Sequence, residues 1–513
     1  MSTAIKHQAF RLIKSLTKAE KRNFKLFATR AGGTRDSKFV RLFDAMDKAA
    51  EPNDELLIKK LGLTSSKLSN LKRHLYQQVL TSLRLIYISK EIDIELREQI
   101  DFTRILYGKG HYLDALRLLE RAKEIAVKHN QDLLHLEILE FQKLIEARHI
   151  TLSRQVENKM DLLLKESNER NQKVLDNSKI FSLNIQLHGL YIEHGHSRTE
   201  KERSENEAFW LNELQKTATR GASDYTFHQK VNLFQASMWF HYIQLNFLDA
   251  LEDAIEAATW FSLRKQMTVK DPDLYLRCLY YVTMFGYLNG KVETVRRHLE
   301  HMDKFLTDKK ILLNQNTRHL GEVYQNLSRF NLLFMTDDYA EAYDFGKKLL
   351  ARHNAEVFVP NSHRWALVLY KCAAACFLTH RYDEALDYLN DVINMRSGIY
   401  REDLLINTRL LHALCNFELT NYTLVDYHLS SVNRLLSRSK ETAEVHKLLV
   451  SGLRRLLKVP RAEHNEVYEK IREELSELSG RVFERKALRY LNLGQWLDIH
   501  LLPLEEQLRD FSL

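Results

Sequence analysis

The chain has 513 residues with 76 Lys/Arg against 68 Asp/Glu, a net charge of +8. Its 16 Gly and 5 Pro make up about 4 % of the residues, against an average near 12 %, which leaves too little turn chemistry for sheets and predicts an all-α fold. No run approaches 18 uninterrupted apolar residues, which excludes an ordinary membrane-spanning helix.

The positive charge is concentrated at one end. Residues 1–90 hold 19 Lys/Arg and 7 Asp/Glu, a net of +12, so residues 91–513 carry −4. The opening stretch MSTAIKHQAFRLIKSL lacks the apolar core of a signal peptide. A first helix is expected from about Ala4 to Ser15. Thr17 three residues before Glu20 forms a capping box that starts a second, which Gly32–Gly33 should end. Lys14, Lys18, Lys21 and Lys25 recur at spacings of four, three and four, and Arg22 joins them, so much of this charge shares one face. Such a face is ordinarily solvated surface. Its functional alternative is contact with nucleic acid or an acidic partner. A third helix, Lys38–Ala49, presents Phe39, Leu42, Phe43 and Met46 as its core stripe, and Pro52 stops it.

The stretch Leu57–Leu71 spaces Leu57, Leu61, Leu63, Leu68 and Leu71 as packing positions around Gly62. It resembles a bacterial helix-turn-helix spanning residues 54–75. That resemblance implies that Ser65, Ser66, Lys67, Asn70 and Lys72 would meet the major groove. Two features depart from the motif. Ile58 stands where a small residue is usual, and the apolar stripe Leu68, Leu71, Leu75, Val79, Leu83, Ile86 carries the second helix on to about Ser89.

From Ile100 to about Arg438 small and aromatic residues recur at helical spacing. The anchors are Gly110, Tyr112, Ala115, Leu119 and Ala122; Phe247, Ala250, Ala254 and Ala257; Val292, Val295, Leu299 and Met302; Tyr339, Ala342 and Leu349; Tyr382, Ala385, Leu389 and Val392; and Tyr422, Val425, Leu429 and Val432. This pattern resembles the tetratricopeptide repeat of paired helices. Apart from the first copy, the interval is roughly 40–47 residues rather than about 34, so the helices should be longer than standard. The interval from 112 to 247 leaves room for two further degenerate copies, one of them over Leu133–Leu164. The polar run Ser197–Glu207 and the turn at Asp271–Pro272 should interrupt the pattern, and Asn361 or Ser362 after Pro360 should cap the helix carrying Trp365.

What the resemblance implies is a right-handed superhelix whose concave groove binds a protein or peptide. In that frame the inward positions of the first helices include Trp239, Tyr242, Tyr280, Tyr287, Tyr324, Tyr370 and Phe377. Aromatic anchors with polar tips suit peptide capture, although a register error of one or two would return them to the core. A helix-turn-helix fused to such repeats also resembles peptide-sensing bacterial regulators. After Lys440 the pattern changes: Pro460 interrupts it, Asn465–Leu478 is a charged amphipathic helix, and Ala487–Leu501 should seal the last repeat.

The expected division is therefore a basic helical domain over 1–90, a solenoid over 91–440 and capping helices over 441–513. Chemistry finds little footing. Gly108-Lys-Gly110 lacks the rest of a nucleotide fingerprint, and HExxH and GxSxG are absent. His298 with His301 and His194 with His196 have no further ligands nearby in the sequence. Cys278, Cys372, Cys376 and Cys415 show no CxxC pairing and fall within expected helices, so reduced, buried thiols and a cytosolic location follow. The expectation is a non-enzymatic scaffold with a protein or peptide partner, no cofactor, no metal and no membrane. The alternative is a DNA-binding regulator acting through the basic N-terminal domain.

Overall fold

In each of six helical hairpins the two helices are joined by three residues, and the middle one takes a left-handed conformation. The hairpins are Ile92–Gly108 with Tyr112–Lys128, Phe227–Ile243 with Phe247–Ser262, Pro272–Leu288 with Val292–Thr307, Gln315–Met335 with Tyr339–Asn354, Ser362–Leu378 with Tyr382–Ile393, and Glu402–Glu418 with Tyr422–Leu436. The middle residues are Gly110, Leu245, Gly290, Asp337, His380 and Thr420, with φ between 57° and 84°. In every link the following N–H donates to the carbonyl five residues back: His111 to Leu106 at 3.0 Å, Asn246 to His241 at 2.8 Å, Lys291 to Gly286 at 2.9 Å, Asp338 to Leu333 at 2.9 Å, Arg381 to Cys376 at 2.8 Å and Asn421 to Asn416 at 2.8 Å. That bond satisfies a carbonyl the helix end would otherwise leave open, and it turns the chain sharply. The residue after each link is the aromatic or Val292 anchor that opens the second helix. The same turn recurs at Asn130, φ 55°, before the helix Asp132–Ser153.

The computed structural model describes residues 7–30, 38–153, 158–217, 225–311, 313–354, 362–395, 402–438 and 443–501. Among these there are 25 α-helices and no strand, an all-α fold. The expected stops at Gly32–Gly33 and the cap at Asn361 lie outside the described residues. The chain divides into two compact units, Met1–Val174 and Leu175–Leu513, and the division falls inside the 36-residue helix Lys159–His194.

In the first unit the helices Gln8–Ser15, Lys18–Arg30, Lys38–Lys48, Asp54–Leu61 and Ser65–Tyr87 enclose one hydrophobic cluster built on Ile13, Phe24, Leu42, Phe43, Met46 and Leu75. Ser65–Tyr87 runs for 23 residues, as its apolar stripe requires. The expected capping box is present. The Thr17 N–H donates to Glu20 at 2.7 Å and the Glu20 N–H to Thr17 Oγ1 at 3.3 Å. Tyr87 also donates to Glu20 at 2.9 Å, tying the second helix to the end of the fifth. Burial opposes ionisation of Glu20, but the hydrogen bonds from Thr17 and Tyr87 outweigh it and hold the carboxyl below its ordinary range. A second cluster in this unit, around Leu96, Leu119 and Ile138, belongs to the first hairpin and the helix after it.

In the second unit, from Phe247–Ser262 onward, each second helix packs on the first helix of the next hairpin, and from Pro272–Leu288 onward successive first helices also touch. Ala250, Ala254, Ala373 and Ala385 are fully buried, and their lack of bulk lets neighbouring axes come close. The polar run after Ser197 breaks the chain only briefly, because Glu200–Thr217 is helical. Asp271 caps Pro272–Leu288 through the Leu274 N–H at 3.3 Å, with Pro272 at the first helical position. The last described α-helices are His464–Ser479, Arg485–Leu491 and Leu493–Leu501. Among the described residues no helix is long and apolar enough to cross a membrane.

Candidate functional site

The aromatics expected to line a groove are mostly inside the second unit. Trp239, Tyr242, Tyr287, Tyr324, Tyr370 and Phe377 are buried, and Tyr280 is half-buried, stacked on Tyr324 with ring centroids 4.4 Å apart. Trp239 stacks on His188 at 4.4 Å. The Tyr242 and Tyr191 hydroxyls lie 3.4 Å apart, and Arg364 donates to the Tyr324 hydroxyl at 3.1 Å. The physical reason is the number of neighbours a first helix has. Glu402–Glu418 buries thirteen of its 17 residues, with apolar and polar side chains around its whole circumference. On such a helix an aromatic falls inside at nearly any register.

A short segment near the end of the described residues packs across several of these helices. Arg485–Leu491 packs on Pro272–Leu288, Glu402–Glu418 and Glu444–Leu456. Lys486 Nζ lies 3.0 Å from the Asp403 carboxylate and donates to the Tyr191 hydroxyl at 2.8 Å. Tyr287 donates its hydroxyl proton to the Arg489 carbonyl at 2.7 Å, and Tyr370 donates to the Tyr490 carbonyl at 2.9 Å. Glu484 accepts from the Glu444 and Val445 N–H groups at 3.0 and 2.8 Å. Arg198 lies over the Phe483 ring at 4.6 Å. A stretch of about ten residues thus reads hydroxyls, one acid and backbone from helices up to 295 positions away. In the following helix, Leu493–Leu501, Trp496 and His500 both reach Glu418 of the last hairpin, at 2.7 and 2.9 Å.

Burial sets the electrostatics of this seat. It pushes the Tyr287 and Tyr370 hydroxyls well above their ordinary range, so both remain donors. Lys371, 7 % exposed, has its ammonium over the rings of Tyr287 at 4.6 Å and Phe334 at 4.9 Å. Burial, helped by the neighbouring Arg489 guanidinium, lowers it to about 7. Lys371 does not stand out in the sequence, and of the segment 482–491 the sequence marks only Ala487–Leu491, as the start of the expected sealing stretch, beside the basic run Arg485-Lys486…Arg489.

In the first unit the basic face is largely committed to its own fold. Lys14 donates to the Asp47 carbonyl at 2.7 Å, Lys21 pairs with the Asp47 carboxylate at 2.6 Å, and Lys25 pairs with Asp44 at 2.6 Å. Lys72 pairs with Asp54 at the start of the preceding helix, with its side chain 13 % exposed. Lys18 and Arg22 are exposed. Ser65, Ser66, Lys67 and Asn70 are exposed too, on the first turns of a helix capped by Thr64 and entered through Gly62 at φ 61°.

All four cysteines are free and buried. His298 donates to the Thr294 carbonyl at 2.8 Å, and its ring lies 5.6 Å from that of His301. His194 is exposed and His196 buried. Among the described residues no group of three or more His, Cys, Asp or Glu could hold a metal ion. No protein-family model matches the chain, and no curated protein matches it in sequence.

Proposed function

We propose that the chain is a non-enzymatic scaffold of tetratricopeptide-like hairpins, an α-solenoid that captures a short helical segment of a protein partner along its row of first helices. The repeated left-handed turn followed by an aromatic anchor, and the small buried residues between helices, support the repeat reading. The observation that carries the binding reading is the seat of residues 482–491. The row already accommodates a basic, aromatic-bearing helical turn through Asp403, Tyr191, Tyr287 and Tyr370. A partner segment of that chemistry, with a lysine placed for Asp403 and a neighbouring aromatic, would compete for the same contacts. Free, buried cysteines accord with a reducing, cytosolic setting.

Fluorescence-anisotropy titration of a labelled peptide with the sequence of residues 481–492 tests this. The full chain carrying Lys486→Ala, whose own segment is loosened, should bind the peptide more tightly than the natural chain. A peptide with Glu in place of that lysine should not bind. A variant that keeps its helicity yet takes up neither peptide would remove the proposal.

A second reading, a DNA-binding regulator, is favoured by the joint exposure of Ser65, Ser66, Lys67 and Asn70 after the Gly62 turn. A mobility-shift titration of the full chain on mixed genomic fragments separates the two. Sequence-selective binding that survives near-physiological salt and is lost in Lys67→Ala supports the regulator. Binding that is absent, or that vanishes with salt whatever the sequence, removes it.

A further inference from the structure

On the second unit, between the end of Tyr422–Leu436 and the helix Glu444–Leu456, a cleft of about 350 Å³ is lined by Lys447, Arg454, Arg455 and Lys458 together with Asn433 and Ser451. No acidic residue lines it among the described residues. Four cations thus line one cleft in a stretch, residues 91–513, whose net charge is −4.

The four cations are not equivalent. Arg455 is held by Glu474 at 3.1 Å and Lys447 by Glu444 at 2.9 Å, so both are partly compensated. The terminal guanidinium nitrogens of Arg454 lie 2.9 and 2.8 Å from the Asn433 side-chain amide, whose oxygen accepts from both when the amide is turned to face them. A neutral partner orients the guanidinium without cancelling its charge. Among the described residues no carboxylate pairs with Arg454 or with exposed Lys458, which lies in the turn just past the end of that helix. An oriented, uncompensated guanidinium beside an ammonium matches the tetrahedral, multiply charged oxygens of phosphate. The lining contains no aromatic ring on which a base could stack, so recognition falls on phosphate groups rather than on a nucleobase.

We infer that this cleft is an anion site for a compact molecule carrying more than one phosphate group, with Arg454 and Lys458 as the principal contacts. The site is separate from the seat of residues 482–491 and does not depend on the binding reading of that seat.

The test is isothermal titration calorimetry of inorganic tripolyphosphate into the full chain at low and near-physiological salt. The expected result is one site per chain. Its affinity falls about 30-fold in Arg454→Gln/Lys458→Gln, because two charge-assisted contacts are lost, and is unchanged in Lys309→Gln/Lys310→Gln, an exposed pair elsewhere on the same unit. Circular dichroism and thermal unfolding confirm that both variants stay folded. Absence of binding, or an equal loss in the two double variants, would overturn the inference, since the second outcome reports net charge rather than a site.

Discussion

Lys486 and Asp403, 83 positions apart in sequence, form an ion pair whose side chains are 9 % and 8 % exposed, at 3.0 Å. Two charges this deep cost several kcal/mol each to desolvate, and the pair recovers that only while both are present. Lys486→Ala should therefore lose about 3–5 kcal/mol of second-unit stability, and Asp403→Ala a similar amount. The double variant Lys486→Met/Asp403→Leu, which leaves no orphan charge, should come within about 1–2 kcal/mol of the natural chain. Urea unfolding followed by far-ultraviolet circular dichroism measures all three. Equal losses in the single and double variants would show that packing, not charge pairing, holds the terminal segment.

The repeated turn yields a paired prediction with opposite signs. Thr420 is β-branched and holds φ 61° in the last hairpin, a region such residues avoid. Thr420→Gly should stabilise the chain by about 1 kcal/mol even though it removes atoms. Gly110 holds φ 84° in the first hairpin, with open space where a Cβ would go. Gly110→Ala should cost about 1 kcal/mol through the backbone alone. Shifts in the unfolding midpoint at constant denaturant slope are the readout, and two shifts of the same sign would refute the argument.

Lys67 and Lys72 divide the same helix between surface and fold. Lys72 pairs with Asp54 and its side chain is 13 % exposed, so Lys72→Ala should lower first-unit stability by about 1 kcal/mol. Lys67 is exposed and contributes only its backbone N–H to the Thr64 cap. Lys67→Ala should change stability by less than about 0.5 kcal/mol. Urea midpoints of the two variants test this, and a larger loss in Lys67→Ala would mean that the helix start is held differently.

The hairpins were legible in the sequence because Tyr112, Phe247, Val292, Tyr339, Tyr382 and Tyr422 mark a local event, the start of a second helix, and the small residues after them mark close helix contact. The turn itself was hidden. Only Gly110 and Gly290 advertise a left-handed residue, whereas Leu245, Asp337, His380 and Thr420 take it because the surrounding packing fixes the geometry. The aromatics were visible but their direction was not, since a first helix buried around most of its circumference has no single polar face from which to set a register. Least legible was the segment 482–491. Its partners Tyr191, Tyr287, Tyr370 and Asp403 lie 83–295 positions away, and no spacing rule reaches that far.

Lys371 makes a prediction about pH. Its ammonium, ordinarily near 10.5, is lowered to about 7 in the folded chain, by burial first and by Arg489 second. Between those values the unfolded chain binds the proton and the folded chain does not, so stability gained from this residue rises with pH from about 7 to about 10. Above about 10 the sign reverses, because Tyr287 and Tyr370 stay protonated in the fold while free tyrosines ionise. The neutral variant Lys371→Met should be more stable than the natural chain at pH 7, and that advantage should shrink by about 2 kcal/mol at pH 9. Urea unfolding of both chains at the two pH values provides the measurement. A pH-independent difference would mean that Lys371 keeps its proton among the rings of Tyr287 and Phe334, held there by cation–π attraction strong enough to offset its burial.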